Sequence, residues 1–201
     1  MKKILQILHN LIGKGKKSDR KADADKNGPQ TIPATELVKS GRTLQNEFVM
    51  QVVGQKNFEK IVNDSLGEGQ GQGCLLVCDV DRCREINDIY GHDTGDAVLG
   101  YVEYVICDIF RGYARIGSRD SDIFALWLPH MVGDNADAIR RMTGIVNDRL
   151  LHPVGALPPS SLSVGISFYE PGDDCRSLVK RANKALYIVK GSGRCGCEMS
   201  L

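Results

Sequence analysis

Asp79 and Asp81, separated only by Val80, stand at the end of the apolar run CLLVCDV at 74–80. Alternate residues on a strand share a face, so both carboxylates aim the same way wherever the extended geometry persists. Carboxylates at the end of a buried strand are a common means of holding Mg2+, with substrate phosphates completing its shell. The same spacing also suits a polar strand-to-helix turn in which Asp81 caps the following helix. On spacing alone the capping turn is the better reading. Cys195 and Cys197 form a lone C-x-C pair. Without two further ligands nearby, such a pair is weak as a zinc site and reads as ordinary thiols.

An acidic turn needs elements to hold it. The run 74–80 reads as a buried strand. Helices are expected over 82–90 and 93–110, the second burying Ala97, Val98, Tyr101, Val102, Val105, Ile106 and Ile109. Two strand-like runs, 113–116 and 123–128, flank the polar GSRDSD and suggest a hairpin. A helix over 135–150, a strand over 162–169 and a helix over 175–190 follow, the last ended by Gly191-Ser192-Gly193. The order β-α-α-β-β-α-β-α suits an α/β (α+β) chain with a ferredoxin-like βαββαβ core, its mainly antiparallel sheet flanked by helices.

Upstream, residues 35–66 read as helical, with Phe58, Ile61, Val62 and Leu66 among the core positions and Gly54 as an interruption; GEGQGQG at 67–73 is a loop. Residues 13–34 have almost nothing to bury and read as a flexible linker. At 2–12, Ile4, Leu5, Leu8, Leu11 and Ile12 share one helical face, and five Lys/Arg follow through Lys21. Residues 2–21 therefore suit weak contact with an anionic membrane surface, or docking on a partner or on the chain's own domain. The expected organisation is a basic amphipathic helix and linker over 1–34, a helical lead-in and loop over 35–73, and the main domain over 74–201.

The chain has 201 residues, 42% hydrophobic and 25% charged, the balance of a soluble globular protein. No apolar run approaches the roughly 18 residues needed to cross a bilayer. A net charge of +1 argues against a nucleic-acid binder held by bulk charge. Residues 1–26 hold eight Lys/Arg against three Asp, so the head is basic and the body mildly acidic. The first apolar stretch contains Gln6, His9 and Asn10 and lacks a small-residue cleavage site, unlike a secretory signal. Seven cysteines without such a signal suit free thiols in a reducing cytoplasm, with the chain peripheral at the inner face of the membrane if residues 2–21 touch it.

The stretch CDVDRCREINDIYGHDTGDAVL resembles the opening signature of the GGDEF family, the diguanylate cyclases, DxDxFKxxND-xxGHxxGDxxL, in register from Asp79 to Leu99. SLSVGISFY at 161–169 is similar to the family's VTxSIGxA strand, and RANKALYIVKGSGR at 181–194 to its RADxALYxAKxxGRN helix. In that family two GTP-bound subunits face each other and form cyclic di-GMP. The resemblance implies that Asp79 and the Val80 carbonyl bind Mg2+. Asn87 and Asp96 read the guanine edge, which suits an amide and a carboxylate. Lys190 and Arg194 hold phosphates, and at i, i+4 they share a face if the helix lasts that long. Their alternative is charge compensation at a helix C-terminus. Arg84 takes the place of the family's lysine and keeps its charge. His92 has a structural place in the helix-to-helix turn.

The resemblance breaks at the name-giving hairpin. In ARIGSRDSDIFALWLP at 114–129, Asp122 and Phe124 match the motif's end, but Ile123 stands where the family has its metal-binding glutamate. A gapless count puts Asp120 and Ser121 at the paired glycines. Matching ARIG to the family's ARYG instead gives the hairpin about three extra residues, the alignment favoured here. Asp120 as a substitute ligand is a further option. The family's Arg-x-x-Asp inhibition site is not restored by Arg111 with Ala114, nor by Asp108 with Arg111. The expectation is a degenerate GGDEF protein that binds GTP or another guanine nucleotide, with a weakened Mg2+ site and little or no cyclase activity. A homodimer and a protein partner are compatible with it. The alternatives are a weakly active cyclase using Asp79 and Asp122, and a nucleotide-free interaction module.

Overall fold

The computed structural model of the chain describes residues 50–67, 72–114 and 116–200. The expected N-terminal helix at 2–12, the linker, the lead-in up to 49 and most of the 67–73 loop lie outside these residues. The described chain runs β1 (Gln51–Val53), α1 (Gln55–Gly67), β2 (Cys74–Val80), α2 (Cys83–Tyr90), α3 (His92–Ile109), β3 (Ile116–Asp120), β4 (Ile123–Leu128), α4 (Ala136–Leu151), β5 (Leu162–Phe168), α5 (Cys175–Gly191) and β6 (Gly196–Met199). One sheet holds all six strands in the order β1-β3-β4-β2-β5-β6. Its inner four strands pair antiparallel, and with α2, α3 and α4 they make the expected βαββαβ core. The edge strands β1 and β6 add to it in parallel.

The period of two in β2 explains the layering. Cys74, Leu76, Cys78 and Val80 join one core with Val98, Val102, Val105 and Ile106 of α3 and Ile139, Val146 and Leu150 of α4. Leu75 and Val77 join the other, with Trp127, with Phe58 and Val62 of α1, and with Leu178, Ala182 and Leu186 of α5. A strand buried on both faces must be apolar throughout, which is why 74–80 reads as a continuous run. Gly165 lets α5 lie directly on β5, since a Cβ there would come within 1.9 Å of the Ala182 carbonyl. Among the described residues, no helix is long and apolar enough to cross a membrane.

Three expectations change. Residues 51–53 are strand, not helix, because they pair with β3 from Gln51↔Ile116 onward. The second core strand begins at Ile116 rather than 113, since Tyr113 and Ala114 donate their N–H groups back to the Phe110 carbonyl and close the turn after α3. The polar Ser118-Arg119-Asp120 then belongs to β3. Pairing runs unbroken to Asp120↔Ile123, leaving Ser121 and Asp122 as a two-residue turn. Ser121 has φ 56, a backbone state that favours glycine.

Candidate functional site

β2 ends between β4 and β5, and there its two aspartates part company. Asp79 has a mostly buried side chain whose Oδ2 lies 2.6 Å from Nζ of Lys190, in the last turn of α5. Burial pushes the Asp79 carboxyl above its ordinary range, with Asp122 and Asp81 adding to the rise and Lys190 opposing it. Asp81 is buried more deeply and takes another set of partners. Ser161 Oγ donates to it at 2.7 Å, Ser163 Oγ at 2.6 Å and the Cys195 N–H at 3.1 Å. Nε of Arg194 stands 3.9 Å away. Asp81 does not cap α2: the cap position is Arg82, which makes no side-chain cap bond.

The clasp around Asp81 joins three segments. The start of β5 is fixed by Asn147 of α4, whose amide donates to the Leu162 carbonyl at 3.0 Å and accepts from the Leu162 N–H at 2.7 Å. That presents Ser161 and Ser163, two residues apart on one side of the strand, to the carboxylate. Arg82, Arg194 and Cys195 all have positive φ, between 54 and 68. Such backbone is uncommon outside glycine and persists only where surrounding contacts hold it. The sequence reading missed the two serines; hydroxyls at alternate positions opening a buried strand were the available signal. It put Lys190 and Arg194 on one helical face only if the helix lasted that far. α5 ends at Gly191, so the two cations reach different carboxylates.

Asn87 is brought across the α2–α3 turn against Gly95, the residue before Asp96. Gly91, at φ 85, reverses the chain and donates its N–H to the Asn87 carbonyl at 2.9 Å. The Asn87 side chain then lies over the first turn of α3, where a Cβ on Gly95 would fall 1.7 Å from its Oδ1. Asp96, next in sequence, is exposed. Arg84 is exposed in the first turn of α2, and His92 is exposed as the first residue of α3. A cleft of about 410 Å³ opens on another side of α2, lined by Glu85, Ile86, Tyr90, Asp81, Ser161 and Arg194 among others. It contains none of Asp79, Asn87, Asp96 or Lys190; Arg194 alone of these five expected ligand-binding side chains borders it.

The hairpin closes on the end of β2. The Val80 N–H donates to the Asp122 carbonyl at 3.1 Å. Ile123 is the direct cross-strand partner of Asp79, 41% exposed, and on its other side pairs with Asp120. Asp120 is therefore two strands from Asp79, with an aliphatic side chain between them. As a divalent-cation site this is a poor donor set. Asp79 is engaged by an ammonium, Ile123 offers only methyl groups, and no group of three or more His, Cys, Asp or Glu placed to hold a metal occurs among the described residues. At the expected inhibition site, Asp108 is paired with Arg111 at 3.4 Å and with Arg149 at 2.7 Å, and Ala114 is buried.

Comparison with known proteins agrees with this fold. The family model described as diguanylate cyclase, GGDEF domain, matches residues 51–195. Diguanylate cyclase DgcM of Escherichia coli is 30% identical over 120 residues, which is 60% of this chain and 29% of that protein. Diguanylate cyclase A of Treponema denticola is 31% identical over 133 residues, 65% of this chain and 36% of that protein. The chain thus spans about a third of these curated relatives. The GGDEF domain of YfiN from Pseudomonas aeruginosa superposes with a TM-score of 0.65 at 28% identity, over 74% of this chain and 96% of that one. The GGDEF domain of DgcB from Caulobacter crescentus, solved with c-di-GMP, has the same fold, with a TM-score of 0.66 at 24% identity over 79% and 97%. The matched region runs from β1 through α5 and carries Asp79, Asn87, Asp96, Lys190 and Arg194, so the chain belongs to the GGDEF family of diguanylate cyclase domains.

Proposed function

We propose that this chain is a degenerate GGDEF protein of cyclic di-GMP signalling, a guanine-nucleotide-binding regulator with little or no cyclase activity. The observation that carries the reading is the Asp79↔Ile123 pair across the β2–β4 ladder. GGDEF cyclases generally depend on Mg2+, and an isoleucine opposite the acidic residue supplies no ligand for it. Loss of one preorganised electrostatic group from an active site typically costs on the order of 10²–10³ in rate. The nucleotide-binding half is better kept: Asn87 is seated over Gly95, beside Asp96, and Lys190 and Arg194 lie at the ends of β2 and β5. A pocket built to pair with guanine leaves its own polar groups unpaired when adenine enters, so GTP is favoured over ATP by at least about tenfold.

A second reading, a weakly active cyclase, is supported by Asp122. Its charge reaches Asp79 and its carbonyl is tied to Val80. One experiment separates the two. Purified full chain is incubated with GTP and Mg2+ or Mn2+, cyclic di-GMP is measured by mass spectrometry, and GTP and ATP binding are titrated by calorimetry on the same sample. GTP-selective binding without product is expected. Turnover that disappears in Asp79→Ala establishes the second reading, and absence of guanine-nucleotide binding by folded protein refutes both. A protein partner fits a regulator; SiaD of Pseudomonas aeruginosa, a diguanylate cyclase of this fold, was solved with its activator SiaC.

A further inference from the structure

The charge count at the end of β2 points beyond a merely damaged metal site. A carboxylate pair facing across β2 and β4 would carry two negative charges and call for a divalent ion. Here the second position is Ile123, and a single carboxylate remains in the pair. That carboxylate already has a matched monovalent partner: Lys190 Nζ lies 2.6 Å from Asp79 Oδ2, with the Lys190 side chain 35% and the Asp79 side chain 13% exposed. This partly buried hydrogen-bonded pair is neutral as it stands, and breaking it leaves the more buried Asp79 carboxylate without its countercharge. A divalent ion entering would displace the ammonium and gain no new carboxylate from β4. Asp81, the nearest buried alternative, has both oxygens occupied by Ser161, Ser163 and the Cys195 N–H.

Resting on the nucleotide-binding reading above, we infer that Lys190 takes the place of the divalent cation, so that this chain binds guanine nucleotide phosphates without a metal ion. The ammonium neutralises Asp79 on one side and offers its remaining protons to phosphate oxygens on the other; an ammonium has three donors, of which the contact with Asp79 uses one. Arg194 stays with Asp81 and contributes a second, half-exposed cation.

The test is calorimetric titration of GTP into the full chain, once with excess EDTA and once with millimolar Mg2+. The two dissociation constants are expected to agree within about fivefold. A strengthening by Mg2+ beyond that overturns the inference while leaving nucleotide binding intact; failure to bind GTP in either buffer, on folded protein, overturns the nucleotide reading and the inference with it. Two variants sharpen the result. Ile123→Glu, at an exposed position, is expected to weaken metal-free binding and to make it respond to Mg2+ by about tenfold or more. Lys190→Gln is expected to lose metal-free affinity by a similar factor; unchanged affinity refutes the role given to the ammonium. Mn2+ added to nucleotide-free protein should keep its full free-ion paramagnetic signal, and loss of that signal at stoichiometric protein also refutes it.

Discussion

Replacing Asp81 by alanine removes the acceptor that joins β2, β5 and the segment after α5. The carboxylate is 4% exposed and Ser163 is fully buried. The Ser163 hydroxyl, 2.6 Å from Oδ1, loses a charged acceptor that water does not readily replace. That loss is worth about 1.5–3 kcal/mol. Ser161 is half-buried and Cys195 exposed, so water takes over part of their lost bonds, and each contributes about 0.5 kcal/mol. The sum for Asp81→Ala is about 3 kcal/mol, near the lower end of the cost of breaking a buried charged pair. For a domain of this size it corresponds to a fall in melting temperature of about 6–12 °C. Asp81→Asn keeps the volume and one acceptor oxygen, and a serine hydroxyl turns to accept from the new amide. It is expected to cost only about 1 kcal/mol. Urea unfolding followed by circular dichroism measures both. An alanine variant within about 1 kcal/mol of wild type, or an asparagine variant as unstable as alanine, refutes the clasp.

Gly95→Ala drives a methyl into Asn87 Oδ1; the side chain swings away, so stability by circular dichroism should change by under about 1 kcal/mol while GTP affinity in calorimetry falls. Gly165→Ala meets backbone instead, at 1.9 Å from the Ala182 carbonyl and 2.5 Å from the Leu186 nitrogen, and is expected to cost about 3 kcal/mol in urea unfolding or to yield insoluble protein. Asp174 caps α5 by accepting the Ser177 N–H at 2.8 Å, and this backbone bond holds its carboxyl below the ordinary value of 3.8. A depressed carboxylate stabilises the fold above its unfolded value and loses that contribution as pH falls through the folded one. Asp174→Ala should therefore lower the melting temperature at neutral pH, with the gap to wild type closing in acid below 3.8; a gap independent of pH would contradict the capping account.

Much of the fold was legible because the signals were local. The buried run at 74–80, the long apolar face of α3 and the Gly-Ser-Gly stop after α5 each report what a segment buries, and the elements fall within a residue or two of the expected bounds. Ile123 at the family's glutamate position is likewise a matter of sequence alone. Periodicity says that a residue is buried or exposed, not which distant residue it meets. The edge strands β1 and β6 are short and mixed in polarity, and exist because β3 and β5 offer them backbone partners. Ser118-Arg119-Asp120 looked like loop because it is polar, and is strand because the hairpin ladder continues through it. The same limit governs the site. Asp79 and Asp81 are equivalent in spacing, as are Lys190 and Arg194. Only the tertiary structure divides them into two pairs, Lys190 with Asp79 and Arg194 with Asp81, because α5 ends before Arg194 and the chain after it turns through left-handed backbone onto the buried carboxylate.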